Sequence, residues 1–156
     1  MTPYARCMPD ELPARLRRLP TWMVSQAAVR SHRLVVHALS GSDARGHHYR
    51  LLVALHEQGS ADQSQLGRRT ALDRSDVAVA VDELERRGLV RRRRDPDDGR
   101  RKRVEITDAG ISFLTELDTA ISSAQDELLR PLPADKRQVF LELLGRLQPD
   151  PGGTGD

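Results

Sequence analysis

Residues 60–110 read SADQSQLGRRTALDRSDVAVAVDELERRGLVRRRRDPDDGRRKRVEITDAG, and the order of signals along this stretch decides the fold. Asp62-Gln63-Ser64-Gln65 has the composition of a capping box: an acidic acceptor for first-turn amides and, three residues on, an amide side chain that reaches back. Leu66 then starts a core face. The pattern resets around Thr70-Ala71-Leu72, and Asp73 stands where a second N-cap belongs. Val77, Ala80, Val81 and Leu84 follow at helical spacing until Gly88, a residue type that tolerates the left-handed conformation at helix ends. Two short helices meeting across a tight turn predict a helix-turn-helix, whose second helix enters the major groove of DNA while the first crosses the backbone.

Leu89-Val90 opens a short extended run, Asp95-Pro96-Asp97-Asp98-Gly99 is dense in turn chemistry, and Arg103-Val104-Glu105-Ile106-Thr107 alternates like a half-buried strand. The stretch predicts a β-hairpin with a projecting tip, a wing. Residues 91–103 hold eight cations (Arg91, Arg92, Arg93, Arg94, Arg100, Arg101, Lys102 and Arg103) against Asp95, Asp97 and Asp98, a local excess of five in a chain whose formal net charge is +2. The remainder is therefore acidic on balance. A cationic hairpin directly after a recognition helix suits a polyanion, because each neutralised phosphate releases condensed counterions. Arginine forks suit phosphates and a narrow minor groove better than lysine does. Strand alternation lets only some of them face DNA, with others pairing to Asp95 or Asp98 to hold the tip, and Arg100 is expected as the tip contact.

On the recognition helix, Arg74, Ser75 and Asp76 occupy the first turn, where base edges and phosphates are reached. Asp76 is repelled by phosphates, yet it can accept from a cytosine amino group or orient Arg74; stabilising the helix N-terminus explains it equally well. The DNA-binding candidates are Ser64 and Gln65 on the first helix, Arg74, Ser75 and Asp76 on the second, and Arg94, Arg100, Arg101, Lys102 and Arg103 on the wing.

Working outward, residues 10–18 have helical spacing at Leu12 and Leu16 until Pro20 interrupts, and a long helix with Trp22, Met23, Gln26, Ala27, Arg30 and Leu34 on one stripe runs from Thr21 to Leu39. Residues 48–58 form another helix, closed by Gly59. After Asp108, Ile111, Leu114, Leu117, Ile121 and Leu128 extend over about five turns, longer than a wing needs for support. Pro131 and Pro133 end that helix, and Ala134–Leu147 reads as a last amphipathic one. The expected class is mainly α with a small β-hairpin wing. It forms one domain over 1–156: a winged helix-turn-helix lobe at 48–107, dimerisation helices at 10–39 and 108–148, and a disordered Pro/Gly/Asp tail at 149–156.

Composition narrows the functions. A chain of 156 residues is long enough to bury a core without staples. Cys7 alone allows no internal disulfide and suits a reducing cytoplasm, and no apolar run approaches a membrane span or signal peptide. Aromatic residues are 3%, too few for the stacking platforms that bind single strands. No GxSxG, P-loop or GxGxxG is present, so no enzyme and no cofactor is expected. His32, His37, His47, His48 and His56 lack metal-ligand spacing, so no metal site is expected. Cys7, near Tyr4 in a Pro-broken terminus, has nothing to lower its pKa, which disfavours a redox switch. The competing reading is a winged-helix architectural or protein-interaction module without operator specificity.

The linked order LDRS, V-D-x-L-E-x-R-G-L-V, D-P-x-D-x-R and V-x-x-T-x-A-G across residues 60–110 resembles the winged helix-turn-helix core of the MarR family of bacterial regulators, and the flanking helices extend the likeness over nearly the whole chain. The resemblance implies a homodimer that reads a pseudo-palindromic operator in double-stranded DNA, usually as a repressor. It makes Trp22, Leu34, Leu117, Ile121, Leu144 and Leu147 interface or core candidates. Many proteins of this kind release DNA when a small, often anionic aromatic effector binds between the dimerisation helices and the DNA-binding lobe. Arg15, Trp22, Gln26, Arg30 and His56 are available to line such a crevice, but a packed core with surface arginines accounts for them more simply, so no ligand residue is assigned. Thr70-Ala71 stands where the family often has Leu-Gly, Gly99 where the wing tip is often basic, and Asp76 and Val79 where hydrogen-bonding side chains or arginine are common.

Overall fold

The computed structural model describes residues 12–95, 98–99 and 102–148. Pro20 occupies the first turn of α1 (Pro20–Leu39), where a missing amide donor costs nothing. The helix expected before it is only a 3₁₀ turn at Leu16–Arg18, so the apolar spacing from Leu12 overstated what a segment between Pro13 and Pro20 can form. α2 (Gly46–Gln58) starts two residues earlier than its apolar pattern and stops at Gly59, whose φ of 75° is open to glycine. α3 (Gln63–Thr70) and α4 (Arg74–Arg86) follow, then strands β1 (Val90–Arg94) and β2 (Lys102–Ile106), then α5 (Asp108–Leu129) and α6 (Ala134–Gly145). The expected mainly helical fold with a hairpin wing is the one observed.

The α3–α4 turn is tight because backbone fills it. The amide of Leu72 donates to the carbonyl of Gly67 at 3.2 Å, and a Cβ at Gly67 would sit 3.1 Å from that of Leu72's carbonyl oxygen. Ala71 takes the left-handed conformation (φ 51°, ψ 45°), which costs an L-residue about 1 kcal/mol. Arg50 of α2 donates to the carbonyl of Thr70 at 3.1 Å, and the Thr70 hydroxyl donates back to Leu66 at 2.6 Å. The Gly67 and Thr70 carbonyls at the end of α3 are thereby satisfied.

Behind the turn lies the core. Leu51, Leu52, Leu66, Val77, Val81, Leu84, Val90, Val104 and Leu117 are each less than 2% exposed, and they come from α2, α3, α4, the hairpin and α5. Burying one such side chain is worth about 1.5–3 kcal/mol, so the lobe is anchored through α5 as well as within itself. The antiparallel hairpin pairs Val90 with Ile106 and Arg94 with Lys102 at its two ends, and Ala61 bridges to Val104 by two backbone hydrogen bonds. That bridge fixes the wing to the loop leading into α3.

Where the wing meets α5, contact is closer than any side chain permits. A Cβ on Gly110 would lie 2.1 Å from the carbonyl oxygen of Leu89. The hydroxyl of Thr107, at the N-cap of α5, accepts from the Gly110 amide at 3.1 Å and donates to the Gly88 carbonyl at 2.7 Å. The T-x-x-G spacing is thus the joint between wing and helix. α1 packs along α5, and α5 also touches α2. α6 buries no residue; Leu147, expected at its end, lies beyond it and is 69% exposed. No helix among the described residues is long and apolar enough to cross a membrane. The segment expected to form a tail, 149–156, lies outside the described residues, as do Tyr4, Cys7 and Asp10.

Candidate nucleic-acid interface

Packing of Val77, Ala80, Val81 and Leu84 into the core turns the opposite face of α4 outward. Arg74, Ser75 and Asp76 in its first turn are exposed, as the sequence predicts. Val79, one turn on and on the same face, is 53% exposed. Asp73 corrects an expectation: it has the extended backbone of an N-cap and its carbonyl accepts from Val77 at 3.0 Å, but its carboxylate makes no capping hydrogen bond. In α3 the capping box forms as read, with Gln65 N donating to Asp62 Oδ1 at 2.7 Å and Asp62 N to Gln65 Oε1 at 3.0 Å. Gln65 therefore has a structural role that its candidacy for DNA did not anticipate, whereas Ser64 is exposed and accepts from Arg68 Nη1 at 2.9 Å.

Four of the six described wing cations are paired with carboxylates of the protein itself. Arg92 donates to Glu85 and Asp82 of α4, and its backbone amide donates to Glu85 Oε1 at 2.8 Å. Burial disfavours the Arg92 charge, but these hydrogen bonds to two carboxylates outweigh it and raise its pKa. Arg91 and Arg93 both pair with Glu105 across the hairpin. Arg103, a DNA candidate, instead donates to the carbonyl of Ser60, to Ser60 Oγ at 3.2 Å and to Asp95 Oδ2 at 3.4 Å. It ties the wing to the α2–α3 loop and also makes the expected pairing with Asp95.

Two wing cations differ. Arg94 and Lys102 face one another across the strand register and have no carboxylate partner among the described residues. Like charges placed directly opposite destabilise a hairpin unless something anionic lies between or above them. Lys102 also reaches the rim of an open crevice of about 680 Å³ bounded by Ser64, Gly67, Arg68, Leu72 and Arg74, with Asp62 and Asp73 at its edge. The crevice joins first helix, recognition helix and wing into one surface. Arg68 was not among the sequence candidates; its place four residues after Ser64, on the same helical face, was the available signal. Arg100 and Arg101 lie outside the described residues.

Behind α4, His48 is 3% exposed, and the roles of its ring nitrogens follow from its neighbours. Nδ1 accepts from the Arg45 amide at 3.2 Å, which leaves Nε2 to carry the proton and donate to Glu83 Oε2 at 2.8 Å. Burial lowers the His48 pKa despite the carboxylate. Burial alone would raise Glu83, but the His48 hydrogen bond and the Arg45 charge bring it below the ordinary value. A neutral histidine therefore latches α2 to the recognition helix, a function its sequence neighbourhood did not reveal. No group of three potential metal ligands occurs among the described residues.

Of the interface-or-core candidates, Leu117 (0% exposed) and Ile121 (9%) belong to the core of a single chain. Trp22, Leu34 and Leu144 are half-buried and Leu147 is exposed. Trp22 Nε1 is buried without a hydrogen-bond partner among the described residues. Among the residues considered for an effector crevice, Arg30 donates to the Glu127 carbonyl at 3.2 Å and so joins α1 to α5, while Arg15, Gln26 and His56 are exposed.

A helix-turn-helix with an exposed recognition turn, followed by a cationic two-stranded wing, defines a winged helix-turn-helix transcription regulator. The model of the MarR family matches residues 47–102. A probable transcriptional regulator from Pseudomonas aeruginosa is 34% identical over 86% of this chain and 100% of its own, with a TM-score of 0.79. The PcaV transcriptional regulator from Streptomyces coelicolor, solved in complex with its natural ligand, is 32% identical over 87% of this chain and 96% of its own, with a TM-score of 0.74. The transcriptional repressor CouR, bound to a 23-mer DNA duplex, shares the fold at 24% identity, a TM-score of 0.81, and coverage of 88% and 98%. The chain belongs to the MarR family of transcriptional regulators.

Proposed function

We propose that this regulator is a homodimeric repressor that reads a pseudo-palindromic operator, with α4 in the major groove and the wing along the adjacent phosphates and minor groove. The observation that carries the reading is the pair Arg94 and Lys102, opposed on the hairpin and without a carboxylate partner among the described residues, with Lys102 lining the crevice that Arg74 of α4 also lines. Arg68 and Arg74 extend the same cationic surface. Selection from a random duplex library tests it. Enrichment of half-sites about one helical turn apart, bound less tightly as salt rises, is expected. Salt-sensitive binding without an enriched sequence would leave an architectural or protein-binding wing instead.

Dimerisation is supported by apolar surface that one chain leaves open. Leu19, Met23 and Val24 at the start of α1, and Val139, Leu141, Leu143 and Leu147 on or just after α6, are all more than 40% exposed. Exposure of that many large apolar side chains on helices at the two ends of the chain fits a partner surface. Leu143→Glu leaves a single chain intact and shifts the mass in sedimentation from dimer to monomer. Release by a small anionic or aromatic effector completes the proposal; the ligand complex of PcaV, 32% identical, supports it. Such a molecule has to prefer a lobe spacing that cannot span two half-sites, since equal affinity for both spacings shifts nothing.

A further inference from the structure

A single exposed valine is ordinary on a protein surface; Val79 is distinguished by its position. It lies four residues after Ser75 and three after Asp76, so the three side chains share the outward face of α4. Arg74, in the same first turn as Ser75 and Asp76, lines the α3–α4 crevice that Lys102 of the wing also lines. Asp82, one turn beyond Val79, is already bound to Arg92. The outward surface of α4 beyond its first turn is therefore hydrocarbon where Val79 stands.

We infer that Val79 reads the C5-methyl group of a thymine, with Asp76 accepting from the amino group of a neighbouring cytosine, so that the operator half-site carries adjacent pyrimidines beneath α4. The inference rests on the proposed placement of α4 in the major groove. Among major-groove edges, the thymine methyl is the only apolar group, and an isopropyl side chain set against amino or keto groups leaves them desolvated and unpaired. A carboxylate is repelled by the acceptor edge of guanine and accepts from the cytosine amino group. Residues three apart on a helix are separated by about 4.5 Å along its axis, close to the roughly 3.4 Å rise between base pairs, so the two side chains address neighbouring steps.

The test separates the methyl group from everything else on the base. In the duplex selected by this protein, each thymine is replaced in turn by deoxyuridine, which keeps the hydrogen-bonding edge and lacks only the methyl. One position per half-site loses about fourfold in affinity, the equivalent of one methyl transferred from water. Val79→Ala binds thymine and uracil there equally, and Val79→Ile keeps the preference. Both variants fold, because the side chain is exposed. Asp76→Asn relaxes the preference for cytosine at the adjacent position. Uniform tolerance of uracil in a duplex that still selects cleanly would overturn the role of Val79 while leaving operator reading intact. Failure to enrich any duplex would remove both.

Discussion

The base of the wing and its outer rungs have nearly the same sequence and opposite electrostatics. Arg91, Arg92, Arg93 and Arg103 meet four carboxylates, those of Glu105, Glu85, Asp82 and Asp95. Arg94 and Lys102, at the outer end of the described strands, meet none among the described residues. A run of arginines is thus divided: a frame holds the hairpin against α4 and the α2–α3 loop, and a charged edge is, in the proposed function, what meets the phosphates of DNA. Counting charges along the chain overstates the edge and misses the frame.

The largest expected effect lies at the joint beneath the frame. Gly110→Ala forces a methyl into the Leu89 carbonyl and lowers stability in urea denaturation by about 3 kcal/mol. An unchanged midpoint would mean that wing and α5 can separate freely. Arg92→Ala comes next: with the carboxylates of Glu85 and Asp82 left without their donor, stability falls by about 1–2 kcal/mol. Arg94→Ala stays within about 0.5 kcal/mol of wild type. Equal losses from the two would erase the distinction between frame and edge. Lys102→Ala keeps stability within about 0.5 kcal/mol of wild type and makes the plot of log affinity against log salt shallower by about one unit per wing.

A smaller effect sharpens the picture of how α4 is held. His48 titrates below its ordinary 6.5 because it is buried, so the unfolded chain binds the proton more readily. The stability from this latch is complete above pH 6.5 and is lost as pH falls below 6.5 toward the folded value. The lowered Glu83 adds a further loss as pH drops below its ordinary 4.5. His48→Gln therefore flattens the decline in stability between neutral pH and about pH 5. Parallel profiles for the two proteins would show that the histidine is not the titrating latch.

The helices from α1 onward, the capping box at Asp62 and Gln65, and the hairpin with strands around Val90 and Val104 were legible because they follow from periodicity and turn chemistry. Gly110 was legible as a motif letter, while its cause, a carbonyl oxygen 2.1 Å from any Cβ, exists only after α5 folds back on the wing. The candidate site divided the same way. Arg74, Ser75 and Asp76 are exposed where the helix phase puts them. Arg103 resembles its neighbours in sequence but meets Ser60, 43 residues away, and no local pattern reports such a contact. His48 and Leu117 likewise depend on what packs beside them: a carboxylate on α4 in one case, the chain's own core in the other.

The central claim is that external anions are met by the unpaired edge. The direct measurement is the salt dependence of binding to the selected duplex for two double variants. Arg94→Ala/Lys102→Ala removes two cations that have no carboxylate partner among the described residues, and Arg92→Ala/Glu85→Ala removes an arginine together with a carboxylate that holds it. The first is predicted to flatten the slope by about two units per wing while the second leaves it at the wild-type value. A flattened slope for the second, with the first unchanged, would contradict the account.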